Sequence, residues 1–140
     1  MKTLRLRIIT PSKVLFEGDV EMVKMRAFEG DMAVLPGHGL LMTTLAYGVL
    51  KAVSGEKEEF FSVLGGYAEI LPDQVTILSD AAERPDEIDR ERAEAAKERA
   101  RRILENARGA SNERFAELAF RRALVRLEVS SYPLVSNRGD

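Results

Sequence analysis

Hydrophobic and polar positions alternate through the first part of the chain. Leu4, Leu6 and Ile8 are separated by Arg5 and Arg7, the period of a strand with one buried face, and Thr10-Pro11-Ser12 ends the run. Val14 and Phe16 continue the pattern as far as Gly18-Asp19. Residues 20–28 set Met22, Val23, Met25 and Ala27 among Glu21, Lys24 and Arg26, a strand whose two faces differ, and Glu29-Gly30-Asp31 turns the chain. Residues 32–35 form a short apolar strand halted by Pro36-Gly37-His38-Gly39. Residues 40–46 and 48–53 predict two more strands, followed by a Ser54-Gly55-Glu56 turn. The run 59–64 leads into Gly65-Gly66, residues 67–71 alternate, Pro72-Asp73 makes a turn, and residues 75–78 form a last strand. Short, closely spaced strands divided by turn residues predict an all-β sandwich or barrel.

At Ser79-Asp80 the period changes. Residues 88–129 predict two amphipathic helices folded back on each other. Ala93, Ala96, Ala100, Ile103 and Ala107 recur at steps of three and four, on one face of the first helix. That face is small as well as apolar: a partner helix can approach closely, but each alanine buries little area and the seam is weak per residue. Pro85 and Asp86 suit helix entry, Gly109 ends the first helix, Ser111 or Asn112 can cap the second, and Pro133 closes it. The second helix, about residues 113–129, places Ala116, Ala119, Phe120, Ala123, Leu124 and Leu127 on one side and Phe115, Leu118, Val125 and Val129 nearly opposite. A helix with two apolar faces needs two partners; one is the alanine seam, and the tethered β domain is the expected resting partner for the other. The predicted organisation is therefore an all-β N-terminal sandwich or barrel (residues 1–84), a C-terminal α-helical hairpin (85–132) and a tail (133–140) without usable pattern.

Composition narrows the chemistry. The 140 residues, 45% hydrophobic and 31% charged, are those of an ordinary globular protein, and no run approaches the roughly 20 apolar residues of a membrane-spanning helix. Charge and hydrophobe alternate from Met1 to Arg7, unlike a secretory signal, so a cytoplasmic location is expected. Zero cysteines and a single histidine leave no thiolate chemistry and few ligands for zinc, and no nucleophile elbow, P-loop or metal-ligand spacing occurs, so no metal site and no enzymatic activity are expected. A net charge of −2 argues against general nucleic-acid binding. The charge is uneven: residues 1–80 carry 8 Lys+Arg against 11 Asp+Glu, whereas residues 81–140 carry 13 against 12, with one lysine among the thirteen cations. Arginine forks onto carboxylates and phosphates, so the hairpin is the half suited to an acidic surface or a nucleotide.

With these residues in view the chain resembles the epsilon-subunit family of bacterial F-type ATP synthases over nearly its whole length. Gly30-Asp31-Met32-Ala33-Val34-Leu35-Pro36-Gly37-His38 is similar to that family's G-x-x-G-V-L-P-x-H loop, with Ala33 where the family usually has glycine. Thr10-Pro11 with Val14-Leu15-Phe16, Tyr47-Gly48-Val49-Leu50 and Gly65-Gly66-Tyr67-Ala68-Glu69-Ile70 follow in the family's order. Ile88-Asp89-Arg90-Glu91-Arg92-Ala93 resembles the (I/L)-D-x-x-R-A motif with which some bacterial members bind ATP, and Arg99, Arg122 and Arg126 fall where those members carry further basic residues. Helix geometry is consistent with this: Asp89 and Arg92 are i,i+3, Arg99 lies within about 20° of Arg92, and Arg122 and Arg126 are i,i+4, so a closed hairpin could gather up to four guanidinium groups near one carboxylate. The plainer reading is that Asp89 stabilises its helix N-terminus and pairs with Arg92.

The resemblance implies a non-catalytic rotor subunit, coupling ion-driven rotation to ATP synthesis, whose β domain meets the gamma subunit and the membrane c-ring. Its hairpin would lie folded on that domain or extend toward the alpha/beta catalytic head and impede ATP hydrolysis. It implies no required cofactor, ATP as a regulatory ligand, and a peripheral place on the cytoplasmic face of a bacterial cell membrane without insertion into it. Gly30, Asp31, Leu35, Pro36, His38 and Met42 are the candidate partner surface; the competing reading puts the methionines in the core and His38 in a hydrogen-bonded loop. A free-standing ATP-sensing regulatory module is the alternative function.

Overall fold

Leu4, Leu6 and Ile8 of β1 (Leu4–Ile9) are buried and Arg5 is exposed, as the alternation requires. The computed structural model describes residues 2–106 and 109–137; the predicted seam residue Ala107 and the end of the tail, residues 138–140, lie outside them. β1 pairs antiparallel with β2 (Val14–Val20) and parallel with β7 (Gln74–Leu78). A bulge between Ile8 and Ile9 shifts the register, so Leu15 and Val20 are the fully buried positions of β2 while Val14 is 49% exposed and Phe16 only partly covered. Leu15 is the extra residue: Phe16 and Val20, opposite Ile8 and Leu4, keep the predicted phase, while Val14 lies beyond the bulge opposite Ile9, which is why the prediction fails there. The predicted strand over residues 20–28 also divides: β2 ends at Val20 and β3 (Met22–Ala27) starts after Glu21, then pairs with β4 (Gly30–Val34).

Two long strands organise the rest. Residues 41–54 form one strand, β5 (Leu41–Ser54), and residues 57–71 another, β6 (Lys57–Leu71), where two and two were expected. They pair antiparallel in one register, interrupted only at Ala46 and Gly65 between Leu45↔Gly66 and Tyr47↔Leu64. The glycines that looked like strand breaks are sites of close approach. A Cβ on Gly48 would lie 2.4 Å from Cβ of Arg26, and a Cβ on Gly66, whose φ is +109°, would lie 2.0 Å from the carbonyl oxygen of Leu78. Through them the sheet, ordered β2-β1-β7-β6-β5-β3-β4, folds over itself, and the inward faces of both halves form one core that includes Leu6, Ile8, Val23, Leu50, Phe61, Ile70 and Ile77. The result is the predicted sandwich.

The chain leaves it through β8 (Ala82–Glu83), paired with β6, and a 3-10 turn at Pro85–Glu87. Arg84 anchors this exit: its guanidinium donates to the Leu15 carbonyl at 2.8 Å, pairs with Glu59 at 3.3 Å and lies 5.2 Å from the Phe61 ring centroid. Then come α1 (Arg90–Asn106) and α2 (Ala110–Ser130), packed together as a hairpin. Ala93 and Ala100 of α1 and Ala116 and Ala123 of α2 are buried, whereas Ile103, expected in the seam, is 49% exposed. Neither Ser111 nor Asn112 caps α2: both lie inside it, and Gly109, at φ +96°, is its N-cap without a side-chain bond. Beyond α2 the chain returns to the sandwich. Tyr132 stacks on Phe60 with centroids 4.1 Å apart, its hydroxyl donates to the Glu128 carboxylate at 2.9 Å, and β9 (Ser136–Asn137) pairs with Lys57 and Glu58 of β6.

Two outcomes follow from this arrangement. Gly66→Ala combines a strained φ with a backbone clash and should cost more than about 2 kcal/mol, seen as a lower urea midpoint. At the junction, burial alone would raise the Glu87 carboxyl, but hydrogen bonds from Lys13 and the Arg84 N–H outweigh it and hold Glu87 below its ordinary 4.5. A depressed carboxylate stabilises the fold above its unfolded pKa and loses that contribution as pH falls through its folded pKa. Lys13→Gln should therefore move Glu87 back up, read from its carboxyl NMR shift, and flatten the fall in melting temperature below about pH 4.5.

Candidate nucleotide site and partner surface

Of the residues proposed for nucleotide binding, Ile88, Asp89, Arg92, Ala93 and Arg126 lie at the base of the hairpin, where α1 begins and α2 ends, whereas Arg99 is midway along α1 and Arg122 two turns before the end of α2. Ile88, 8% exposed, and Ala93, fully buried, supply its apolar floor. Asp89 is the N-cap of α1: one carboxylate oxygen accepts the Arg92 backbone N–H at 3.1 Å and its carbonyl accepts the Ala93 N–H at 3.0 Å. This satisfies donors that a helix start leaves open and sets a negative charge at the positive end of the helix dipole. The bond runs to the Arg92 backbone; the Arg92 and Arg99 side chains are exposed and, among the described residues, without ionic or hydrogen-bonding partners.

The arginines of α2 are engaged, though not with Asp89. Arg126 forks onto Glu83 of β8 with bonds of 2.8 and 3.1 Å, both side chains about three-quarters covered. Arg122 sits over the Tyr47 ring, 5.8 Å from its centroid. Arg90 donates to the Ser130 hydroxyl at 3.1 Å and so ties the start of α1 to the end of α2. The expected convergence of four guanidinium groups on one carboxylate is thus divided. Asp89 serves α1, Glu83 holds Arg126, and Arg92 and Arg99 are uncommitted. Glu83 was not among the predicted site residues, because a two-residue strand carries no periodicity and only the fold brings it beneath α2. Among the described residues no group of three or more His, Cys, Asp or Glu side chains could hold a metal ion, and no helix is long and apolar enough to cross a membrane.

The predicted partner residues lie at the start of β4, in the loop that follows it and at the start of β5. Gly30 and Asp31 open β4, where Asp31 pairs with Arg26 at 3.1 Å. The loop after β4 is pinned by a bond from Gly37 N–H to the Pro72 carbonyl at 2.7 Å, and Nδ1 of His38 contacts the Gly39 carbonyl at 2.8 Å. Leu35, Leu40 and Met42 are 57%, 75% and 63% exposed and Pro36 partly so, and Phe28, at the β3–β4 turn, is 77% exposed. The methionines divide: Met25 is in the core, Met32 packs against it, and Met42 is on the surface. Ala33 lies within β4, and no described residue other than glycine has a positive φ, so this position does not need glycine. Large apolar side chains are therefore exposed around the β3–β4 turn and the loop after β4, the kind of surface that suits a partner.

Comparison with known proteins accounts for the whole arrangement. Residues 3–85 match the family described as "ATP synthase, Delta/Epsilon chain, beta-sandwich domain", and residues 86–131 the one described as "ATP synthase, Delta/Epsilon chain, long alpha-helix domain". An ATP synthase epsilon chain from Halalkalibacterium halodurans is 43% identical over 131 residues, covering 93% of this chain and 98% of its own. One from Bacillus velezensis is 43% identical over 130 residues with the same coverage. Among solved structures, a chain of the Euglena gracilis mitochondrial ATP synthase (OSCP/F1/c-ring) superposes with a TM-score of 0.80 at 25% identity, covering 94% of this chain and 83% of that one. A chain of the Tetrahymena thermophila mitochondrial ATP synthase central stalk and c-ring shares the fold, with a TM-score of 0.59 at 15% identity over 94% and 100% of the two chains.

The cap at Asp89 makes a separable prediction. Asp89→Ala should cost about 1 kcal/mol through loss of the cap, whereas Asp89→Asn, which caps as well, should leave hairpin stability nearly unchanged. Thermal melts followed by helical circular dichroism compare the two.

Proposed function

The chain belongs to the ATP synthase delta/epsilon family, and from that membership we propose that it is a non-catalytic, epsilon-type subunit of the central stalk, whose hairpin is a nucleotide-biased brake on ATP hydrolysis. The exposed Leu35, Leu40, Met42 and Phe28 support a permanent contact to gamma and the c-ring, and with it a peripheral position on the cytoplasmic face of a bacterial cell membrane.

The observation that carries the brake is the uneven cover of α2. Near its C-terminal end Val129 is fully buried and Val125 mostly so beside the sandwich residues Tyr47 and Phe60, while at the other end Phe115 and Leu118 are 78% and 41% exposed, beside an α1 whose Ile103 is 49% exposed. The far end of the hairpin thus keeps an apolar surface that the folded state does not use. An extended hairpin would bury it against gamma and the alpha/beta head, where the exposed arginines meet acidic groups. Two packings with such divided contacts can lie within a few kcal/mol of each other and be biased by a ligand.

ATP is the ligand of the folded state. Arg92 and Arg99 are free to take phosphate, and Arg126, preoriented by Glu83, and Arg122 complete the cationic set, while Ile88 and Ala93 offer an apolar floor and Asp89 a fixed acceptor. Binding would stabilise the folded state by about 1.4 kcal/mol for each decade of ATP above Kd.

Calorimetry and a pair of spin labels, one on the sandwich and one on the far end of α2, test this. ATP should bind the parent chain and narrow the distance distribution toward the folded state. Asp89→Asn, which spares the cap, should weaken binding by about tenfold or more, and Arg122→Ala with Arg126→Ala should abolish it while the sandwich stays folded. Undiminished binding in these variants, or none in the parent, would refute the site. A label distance unmoved by ATP or by gamma would refute the brake.

A further inference from the structure

On the flank of α2 away from Glu83 lies a second cleft, of about 740 Å³, between the helix and the β3–β4–β5 face of the sandwich. It is within the size range of small-molecule sites. Arg121, Leu124, Val125 and Glu128 line its helical wall at the spacing of one helix face, and they stand about 100° or more around α2 from Arg126. It shares Tyr47 with Arg122 and Asp31 with the candidate partner surface, but its cations Lys24 and Arg121 belong to neither.

Three features of its wall stand out. Lys24 of β3 and Lys51 of β5 are directly paired across the antiparallel ladder, an arrangement of like charges that destabilises a sheet. Lys51 is offset by Glu58 at 3.2 Å and the neighbouring Arg26 by Asp31 at 3.1 Å, but Lys24 and Arg121 have no ionic or hydrogen-bonding partner among the described residues. Two uncommitted cations therefore face one cleft from opposite walls. Leu124 is 43% exposed there, contrary to its expected place in the helix seam, and Val49 and Val125 continue the apolar surface beneath it.

A free inorganic anion would use the cations and leave the leucine wet. A neutral apolar ligand would do the reverse. We propose that this cleft is a binding site for a single-chain amphipathic anion, its phosphate head between Lys24 and Arg121 and its alkyl chain on Val49, Leu124 and Val125. Such a ligand relieves the Lys24–Lys51 repulsion and touches helix and sandwich at once, so it also holds the hairpin against the sandwich.

The test is a methyl NMR titration of the full chain with octyl phosphate below its micellar concentration, with inorganic phosphate and octyl glucoside as head-only and chain-only probes. Saturable shifts at the Val49, Leu124 and Val125 methyls are expected with octyl phosphate, at about a tenfold lower Kd than with either control. Lys24→Gln with Arg121→Gln, both at exposed positions, should raise that Kd by about tenfold and leave the melting temperature of the unliganded chain unchanged or higher. Leu124→Asn should weaken octyl phosphate and spare inorganic phosphate. A lipid shed from a membrane and a soluble alkyl phosphate present the same chemistry; tighter binding of palmitoyl lysophosphatidate than of octyl phosphate assigns the former, and weaker binding the latter. Absence of saturable shifts, shifts spread through the sandwich core, equal affinity for inorganic phosphate, or an undiminished response in the double variant would overturn the proposal.

Discussion

Four alanine methyl groups, from Ala93, Ala100, Ala116 and Ala123, form the buried line between the two helices. At about 0.8 kcal/mol per buried methyl or methylene they contribute about 3 kcal/mol, comparable to one large core side chain. A hairpin closed this lightly depends on what surrounds it. On α1 the i,i+3 and i,i+4 pairs Glu94–Lys97, Glu98–Arg101 and Arg101–Glu105 support the helix locally, each weakly because all are at the surface. The remaining support is concentrated at the base: Arg90 on Ser130, Arg126 on Glu83, the buried Val129 and Tyr132 on Phe60. Small seam residues let the helices come close, and for the same reason they leave the choice of posture to a few contacts at one end.

That concentration explains why the two ends of the hairpin differ so sharply. At the base the chain is fixed twice, by β8 and Arg84 on the way in and by Tyr132 and β9 on the way out. At the tip neither Phe115 nor Ile103 finds cover. Release of the base therefore frees the whole hairpin as a unit, whereas loosening the tip changes little. A ligand that acts at the base works where the contacts are, which is the economical place for a switch.

Local patterns made much of this legible. Alternation in β1, the switch of period after Ser79, Gly109 as a helix boundary and the two-faced second helix all arise from interactions within a few residues. What the pattern missed arises from pairings distant in sequence. The bulge opposite Val14 depends on β1, the continuity of β5 and β6 through Gly48 and Gly65-Gly66 depends on Arg26 and Leu78 lying against those glycines, and Glu83 gains its meaning only under Arg126. Leu124 shows the same limit, since its angle on the helix suited the seam but the helix sits rotated enough to leave it in a cleft. The tail was unreadable because β9 is held by the edge of β6 rather than by any regularity of its own.

Asp89 invites a choice between helix cap and ligand contact, and its geometry makes the choice unnecessary. One oxygen is taken by the Arg92 N–H, which fixes the carboxylate's orientation at the start of α1. A carboxylate has roughly four acceptor positions, so a single backbone donor leaves most of them open. A group already ordered by the cap loses little conformational freedom when a hydroxyl or amine of a ligand approaches the other oxygen. The same residue can therefore start the helix and still offer an open acceptor to a ligand. In the proposed nucleotide site the structural role would prepare the binding role, with no second carboxylate needed beside it.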